Sequence, residues 1–179
     1  SPSRGLGDVY KRQEILTFAG GLPAPELFDV EGLRTAFGKA LSAPQVGANL
    51  QYSTAEGIWA LRVQLAARLT GEGLPTDPEQ ILVSTGSQQA LTLLATILLD
   101  PGQTVLVEDP TYLSALQAFL LGGARAVAVP ADLAGIRIDA LEHALRRERP
   151  AALYLVPTFA NPTGLTLPAD RRREVARLV

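Results

Sequence analysis

The sequence predicts an α/β fold, a mostly parallel sheet with helices on both faces, and two observations carry that reading. Short apolar runs recur along the chain, and helical patterns of ten or more residues separate them. Strands joined by helices of that length lie parallel, and their continuous apolar character requires cover on both sides.

In chain order, residues 14–29 (EILTFAGGLPAPELFD) hold two glycines and two prolines and read as an extended arm with turns. VEGLRTAFGKALS, 30–42, has apolar residues at helical spacing. GIWALRVQLAARLTGEG, 57–73, repeats the pattern more strongly and ends in glycines suited to a C-terminal cap. Strand ILVS (81–84) is followed by helix QQALTLLATILL, strand TVLVE (104–108), helix YLSALQAFLL, strand RAVAVP (125–130), helix IDALEHALRR and strand AALYLV (151–156), with a further helical pattern beginning near the end. No internal repeat interrupts this alternation.

Composition narrows the function. Ser3 to Gln13, SRGLGDVYKRQ, can be written codon for codon as an in-frame transposase-type sequencing adaptor, so residues 1–13 are set aside as a non-native scar. There is no methionine, and the chain stops inside the pattern ADRRREVARLV, so a piece of a longer gene product is expected. Removing Arg4, Lys11, Arg12 and Asp8, together a net +2, takes the formal charge from −2 to −4. That balance argues against nucleic acid or an anionic membrane as partner. No apolar run is long enough to cross a bilayer, so a cytoplasmic protein is expected. Zero cysteines exclude a disulfide framework and thiolate chemistry, and the single histidine, His143, lies among charges on a helical pattern.

Ligands of open parallel sheets bind beyond the carboxyl ends of the strands. After the first run comes TGSQQAL, where a glycine permits close approach of backbone, Ser87 can cap the helix, and a helix N-terminus offers N–H groups to a phosphate. It is neither GxGxxG nor a P-loop, which disfavours a dinucleotide or a nucleoside triphosphate. EDPTY delivers Tyr112 to the start of the next helix, where a ring can lie against a planar ligand. ANPTG holds Asn161, a neutral amide donor, in front of Pro162.

FAGGLP, LQYSTAEGIWALR, TGSQQAL, VEDPTY and LVPTFANPTG, in this order and spacing, resemble the fold-type I, pyridoxal-phosphate-dependent aminotransferases of class I/II, with most likeness to the kynurenine and 2-aminoadipate group. The resemblance implies a truncated large domain, the first four of seven strands, over residues 49–179. An arm and first helix precede it at 14–48. It also implies pyridoxal 5′-phosphate as cofactor, amino acid and 2-oxo acid substrates, and a homodimer. Position by position, Gly86, Ser87 and Gln88 would hold the cofactor phosphate, Tyr112 would stack on the pyridine ring, and Asn161 would donate to the ring's 3′ oxygen. Tyr52 would reach the phosphate of the neighbouring subunit, and Gly21, beside Gly20, would touch substrate.

The resemblance also marks a departure. The family's cofactor-bonding lysine, its pyridine-pairing aspartate and its phosphate- and carboxylate-binding arginines follow the NPTG segment, whereas the lysines of this chain are Lys11 and Lys39. An inert fragment of an aminotransferase is expected. The alternative is the aminotransferase-like effector domain of a winged-helix transcription regulator. From the family's strand order, residues 81–84 are expected to find no neighbour, while 104–108 pair with 125–129 on one side and 151–156 on the other. Unpaired backbone and apolar faces left by that gap are expected to promote aggregation.

Overall fold

The computed structural model describes residues 22–179. The chain divides into two units, Ser1–Ser53 and Thr54–Val179, each taken by itself. In the first, a single 3-10 turn (Pro25–Leu27) leads to α1 (Val30–Leu41) and the short α2 (Val46–Asn49). Asp29 caps α1 by accepting from the Gly32 N–H at 2.8 Å, satisfying one donor that the first turn leaves free. Asn49 folds α2 back by donating to the Ala40 carbonyl at 3.2 Å. Val30, Leu33, Phe37 and Leu41 form one apolar stripe on α1, and all four are exposed.

The second unit begins with α3 (Trp59–Gly71). A 3-10 turn, Pro78–Gln80, follows under a capping box of Asp77 and Gln80, and Arg62 Nε pins it by donating to the Pro78 carbonyl at 3.0 Å. Next come α4 (Ser87–Leu98), β1 (Thr104–Asp109), α5 (Leu113–Leu121), β2 (Arg125–Asp132), β3 (Gly135–Ile136), α6 (Ile138–Glu148), β4 (Ala152–Tyr154) and α7 (Ala169–Leu178). The predicted helices are all present, with ends shifted by a residue or two.

The sheet runs β3-β2-β1-β4. Parallel pairing sets Thr104 opposite Arg125 through Asp109 opposite Pro130, and Val105 opposite Ala152 through Val107 opposite Tyr154. This is the arrangement expected from the sequence: β1 lies between β2 and β4, and residues 81–84 join no strand. Their backbone is tied instead by the Val83 N–H to the Glu56 carbonyl at 2.9 Å. Two details differ. The fourth run is a strand only over Ala152–Tyr154, and the fourth member of the sheet is β3, antiparallel to β2, which the sequence reading missed. A two-residue strand leaves no period to detect. Its cue is the turn before it, where Asp132 Oδ1 accepts from the Ala134 N–H at 2.7 Å and Gly135 takes φ +92°.

β1 is central because its side chains are apolar on both faces. Val105 and Val107 point into one cluster with Ala95, Leu99, Ala115, Phe119 and Ala124, from α4, α5 and the segments that follow them. Leu106 points the other way, into Val129, Ile136, Leu141, Ala144, Leu167 and Val175, from β2, β3, α6, α7 and the loop before α7. Burying each such side chain contributes about 1.5–3 kcal/mol. The cover is incomplete: Leu93, Leu94, Ile97 and Leu98 of α4 are exposed, and β4 ends the sheet.

Candidate functional site

Gly86 is the N-cap of α4, at φ +126° and ψ 173°, a region that only glycine occupies without strain. A side chain there would meet nothing within 4 Å, so backbone conformation and not crowding requires the glycine. No side chain caps the helix, and its first-turn N–H groups remain open to an anion. The expectation that Ser87 caps α4 is corrected: Ser87 is the first helical residue, because the glycine takes the cap position. Ser84 Oγ steadies the turn by donating to the Gly86 carbonyl at 3.2 Å. Gln89 does so from the helix side, its Oε1 accepting from the Thr85 N–H at 2.6 Å.

Tyr112 is the N-cap of α5, half-buried against the Val105/Val107 cluster. Asp109–Pro110 just before it is cis. Gln88 Nε2 donates to the Ser114 carbonyl at 3.3 Å, so the N-termini of α4 and α5 are joined directly. Gly86, Ser87, Gln88 and Tyr112 are thereby brought to one place. Tyr154, at the end of β4, packs edge-on against Phe119 with ring centroids 5.5 Å apart. Burial raises its hydroxyl pKa, and the nearby Tyr112 and Glu108 raise it further. Tyr154 and the Gln88–Ser114 link were not singled out from the sequence.

Asn161 sits at the tip of the loop after β4, and Asn161–Pro162 is cis. The loop closes on itself: the Leu167 N–H donates to the Pro157 carbonyl at 2.9 Å, Ala160 N–H to the Leu165 carbonyl at 2.8 Å, and Gly164 N–H to the Ala160 carbonyl at 2.5 Å. The Asn161 side chain is exposed and bonds to no other described residue, so its donors face outward. Tyr52 belongs to the first unit and is 99% exposed. Gly21 lies outside the described residues.

A cavity of about 290 Å³ opens between the loops after β1, β2 and β4, bordered by Glu108, Asp109, Asp132, Ala160 and Thr163 among others. Its charged rim is acidic, and Gly86 does not border it. Burial raises the Glu108 carboxyl pKa, while hydrogen bonds from the Val156 and Ile136 N–H groups lower it. Asp132 is held below the usual carboxylate range, first by its hydrogen bond from Arg171 and then by the Ala134 N–H. Among the described residues no helix is long and apolar enough to cross a membrane, and no cluster of His, Cys, Asp and Glu could hold a metal.

A largely parallel sheet stands beside a helix N-terminus open to an anion, with an aromatic ring after β1 and an amide donor after β4. The chain matches the family described as aminotransferase class I and II over residues 29–179, and it belongs to that family. It is 46% identical over 179 residues to the 2-aminoadipate transaminase of Thermus thermophilus, covering all of this chain and 44% of that one. The crystal structure of the alpha-aminoadipate aminotransferase LysN from Thermus thermophilus, complexed with N-(5′-phosphopyridoxyl)-L-leucine, superposes with TM-score 0.81 at 47% identity. That match covers 92% of this chain and 41% of LysN. An uncharacterized HTH-type transcriptional regulator of Escherichia coli, YdcR, is 31% identical over 92% of this chain and 35% of its own length. The chain spans less than half the length of each of these relatives.

Proposed function

We propose that this polypeptide is part of a pyridoxal-phosphate-dependent aminotransferase, which moves an amino group from a 2-aminoadipate, aromatic or branched-chain amino acid to 2-oxoglutarate. It would work in the cytoplasm as a homodimer. The observation that carries this reading is the junction of an uncapped, glycine-headed helix with the Tyr112 turn through the Gln88–Ser114 bond.

When bound, pyridoxal phosphate supplies an electron-withdrawing ring that stabilises negative charge at the amino acid's α-carbon. The chain's own residues bind and orient it. The N–H groups of the first turn of α4, with Ser87 and Gln88, take the phosphate, and the helix dipole favours the anion there. Tyr112 lies against the ring, adding about 0.5–1.5 kcal/mol beyond area burial. Asn161 donates to the ring's 3′ oxygen, a bond to a charged acceptor worth about 1.5–3 kcal/mol. Tyr52 would serve the site of a neighbouring subunit, and Gly21 the substrate. Proton movement at the α-carbon needs a base. Lys39, in α1, comes before every cofactor motif, so the 179-residue chain by itself is proposed to be inert.

The 46% identity to a transaminase, against 31% to the regulator, favours the enzyme over an effector domain, as does the intact ANPTG sequence. A DNA-binding segment encoded ahead of Glu14 would reverse that preference. The test of the enzyme reading is the full-length gene product assayed with these donors and 2-oxoglutarate. Ping-pong kinetics are expected, with Asn161→Ala lowering turnover at least about tenfold and shifting the cofactor's absorbance. Unchanged turnover and spectrum in that variant would remove Asn161 from the site.

A further inference from the structure

We propose that Arg172 is a positioning residue that fixes the loop carrying Asn161; its bearing on chemistry rests on the functional reading above. Arg172 lies in the first turns of α7, after the loop has ended, and its guanidinium reaches back to both feet of it. Nη2 donates to the Pro157 carbonyl at 2.6 Å and to Thr158 Oγ1 at 2.9 Å. Nε donates to the Leu167 carbonyl at 2.8 Å. Pro157 and Leu167 are also the residues whose own backbone bond closes the loop. One planar fork thus ties the outgoing arm of the loop, its returning arm and the helix that follows.

The loop needs such a tie. Phe159 takes φ +48°, a left-handed conformation unfavourable for an aromatic residue, and the residue is 78% exposed, so burial does not compensate. A residue in that region persists when its surroundings over-determine it. The ties on either side are the Phe159 N–H to Thr166 Oγ1 at 3.2 Å and the Arg172 fork. The neighbouring arginines differ: Arg171 bonds Asp132 and the Gly135 carbonyl at the β2–β3 turn, and Arg173 is exposed. A lysine could supply the charge but not the fork, since its ammonium is a point donor.

Hydrogen exchange on this chain, without cofactor, tests the idea. Arg172→Gln is expected to speed exchange of the Ala160, Gly164 and Leu167 amides about tenfold or more, with Leu106 and Val107 of β1 unchanged. Arg172→Lys is expected to stay near the fast limit and Arg173→Gln at the wild-type rate. Unchanged loop exchange, or equal acceleration in β1, would overturn the proposal. Should Arg172→Gln unfold, Thr158→Ala, which removes one acceptor of the fork, decides in its place: faster loop exchange supports the proposal and an unchanged loop overturns it. Pyridoxal phosphate titrations of the full-length protein add the functional arm. Arg172→Gln and Asn161→Ala are each expected to weaken binding, and the double variant no more than the worse single; additive losses would overturn action through Asn161. Absence of any binding by the wild type would defeat the functional reading while leaving the exchange result intact.

Discussion

Gln88 and Ser114, separated by 26 residues, are hydrogen-bonded between the first turns of two helices, the Gln88 amide donating to the Ser114 carbonyl at 3.3 Å. Gln88 is two residues past Gly86, and Ser114 is two past Tyr112. The bond therefore links the first turn of α4, proposed above to take a phosphate, to the Tyr112 turn. Because Gln88 is exposed, its loss is expected to cost little stability, within about 1 kcal/mol, yet to weaken pyridoxal phosphate binding by the full-length protein several-fold. Paired unfolding and titration of Gln88→Ala check this. Equal binding by variant and wild type would show that this link does not shape the site.

Leu106 is fully buried at the centre of β1, and truncating it leaves a cavity beneath α6 and α7. Leu106→Ala is expected to cost about 2–5 kcal/mol in chemical denaturation. Leu121, 86% exposed at the end of α5, gives the contrast: Leu121→Ala is expected to stay within about 0.5 kcal/mol. Similar costs at the two positions would contradict the two-sided burial of β1.

Glu108 ties the end of β1 to the segment leading toward Asn161, its Oε2 accepting from the Val156 N–H at 3.3 Å. Burial is the first cause of its raised pKa, so the folded state holds the proton to higher pH than the unfolded chain. Its contribution to stability is therefore full below the unfolded value of 4.5 and is lost as pH rises through the folded value. Glu108→Gln, which keeps an acceptor and cannot ionise, is expected to gain stability relative to wild type between about pH 4 and about pH 7. Urea unfolding at both pH values reads the difference. A variant whose offset from wild type is the same at both would show that Glu108 does not titrate in this window.

α4 carries Leu94 and Ile97, 51% and 75% exposed, and Leu94 lines a cleft against β4, the last strand of the sheet. Exposed apolar surface next to an unpaired strand edge promotes self-association. The 179-residue chain is expected to self-associate as concentration rises, and Leu94→Lys with Ile97→Lys to shift that onset upward severalfold. Light scattering across a dilution series measures it. A monodisperse wild-type chain at high concentration would contradict the expectation.

The order of the main helices and of the runs that form β1, β2 and β4 was determined by the sequence alone, because it depends on local periodicity. The unbroken apolar run at 104–108 requires burial on both faces, and the structure places it between β2 and β4 with Val105 and Leu106 in opposite clusters. Gly86 and Tyr112 were legible as turn positions, and each heads a helix in the structure. Tertiary structure decided what joins them. Glu108, Tyr154 and Arg172 read as ordinary residues of their elements, Gln88 was singled out only toward the phosphate, and the partners Ser114, Val156, Phe119 and Pro157 lie between 15 and 48 residues away with no spacing that announces the pairing. Ser87 shows the same limit at short range: a serine before a helix is a natural cap, but the cap position went to Gly86 because the chain turns there through φ +126°. Periodicity records which face a residue buries, whereas a hydrogen bond between loops depends on where folded strands bring their ends, and that geometry exists only once the sheet has formed.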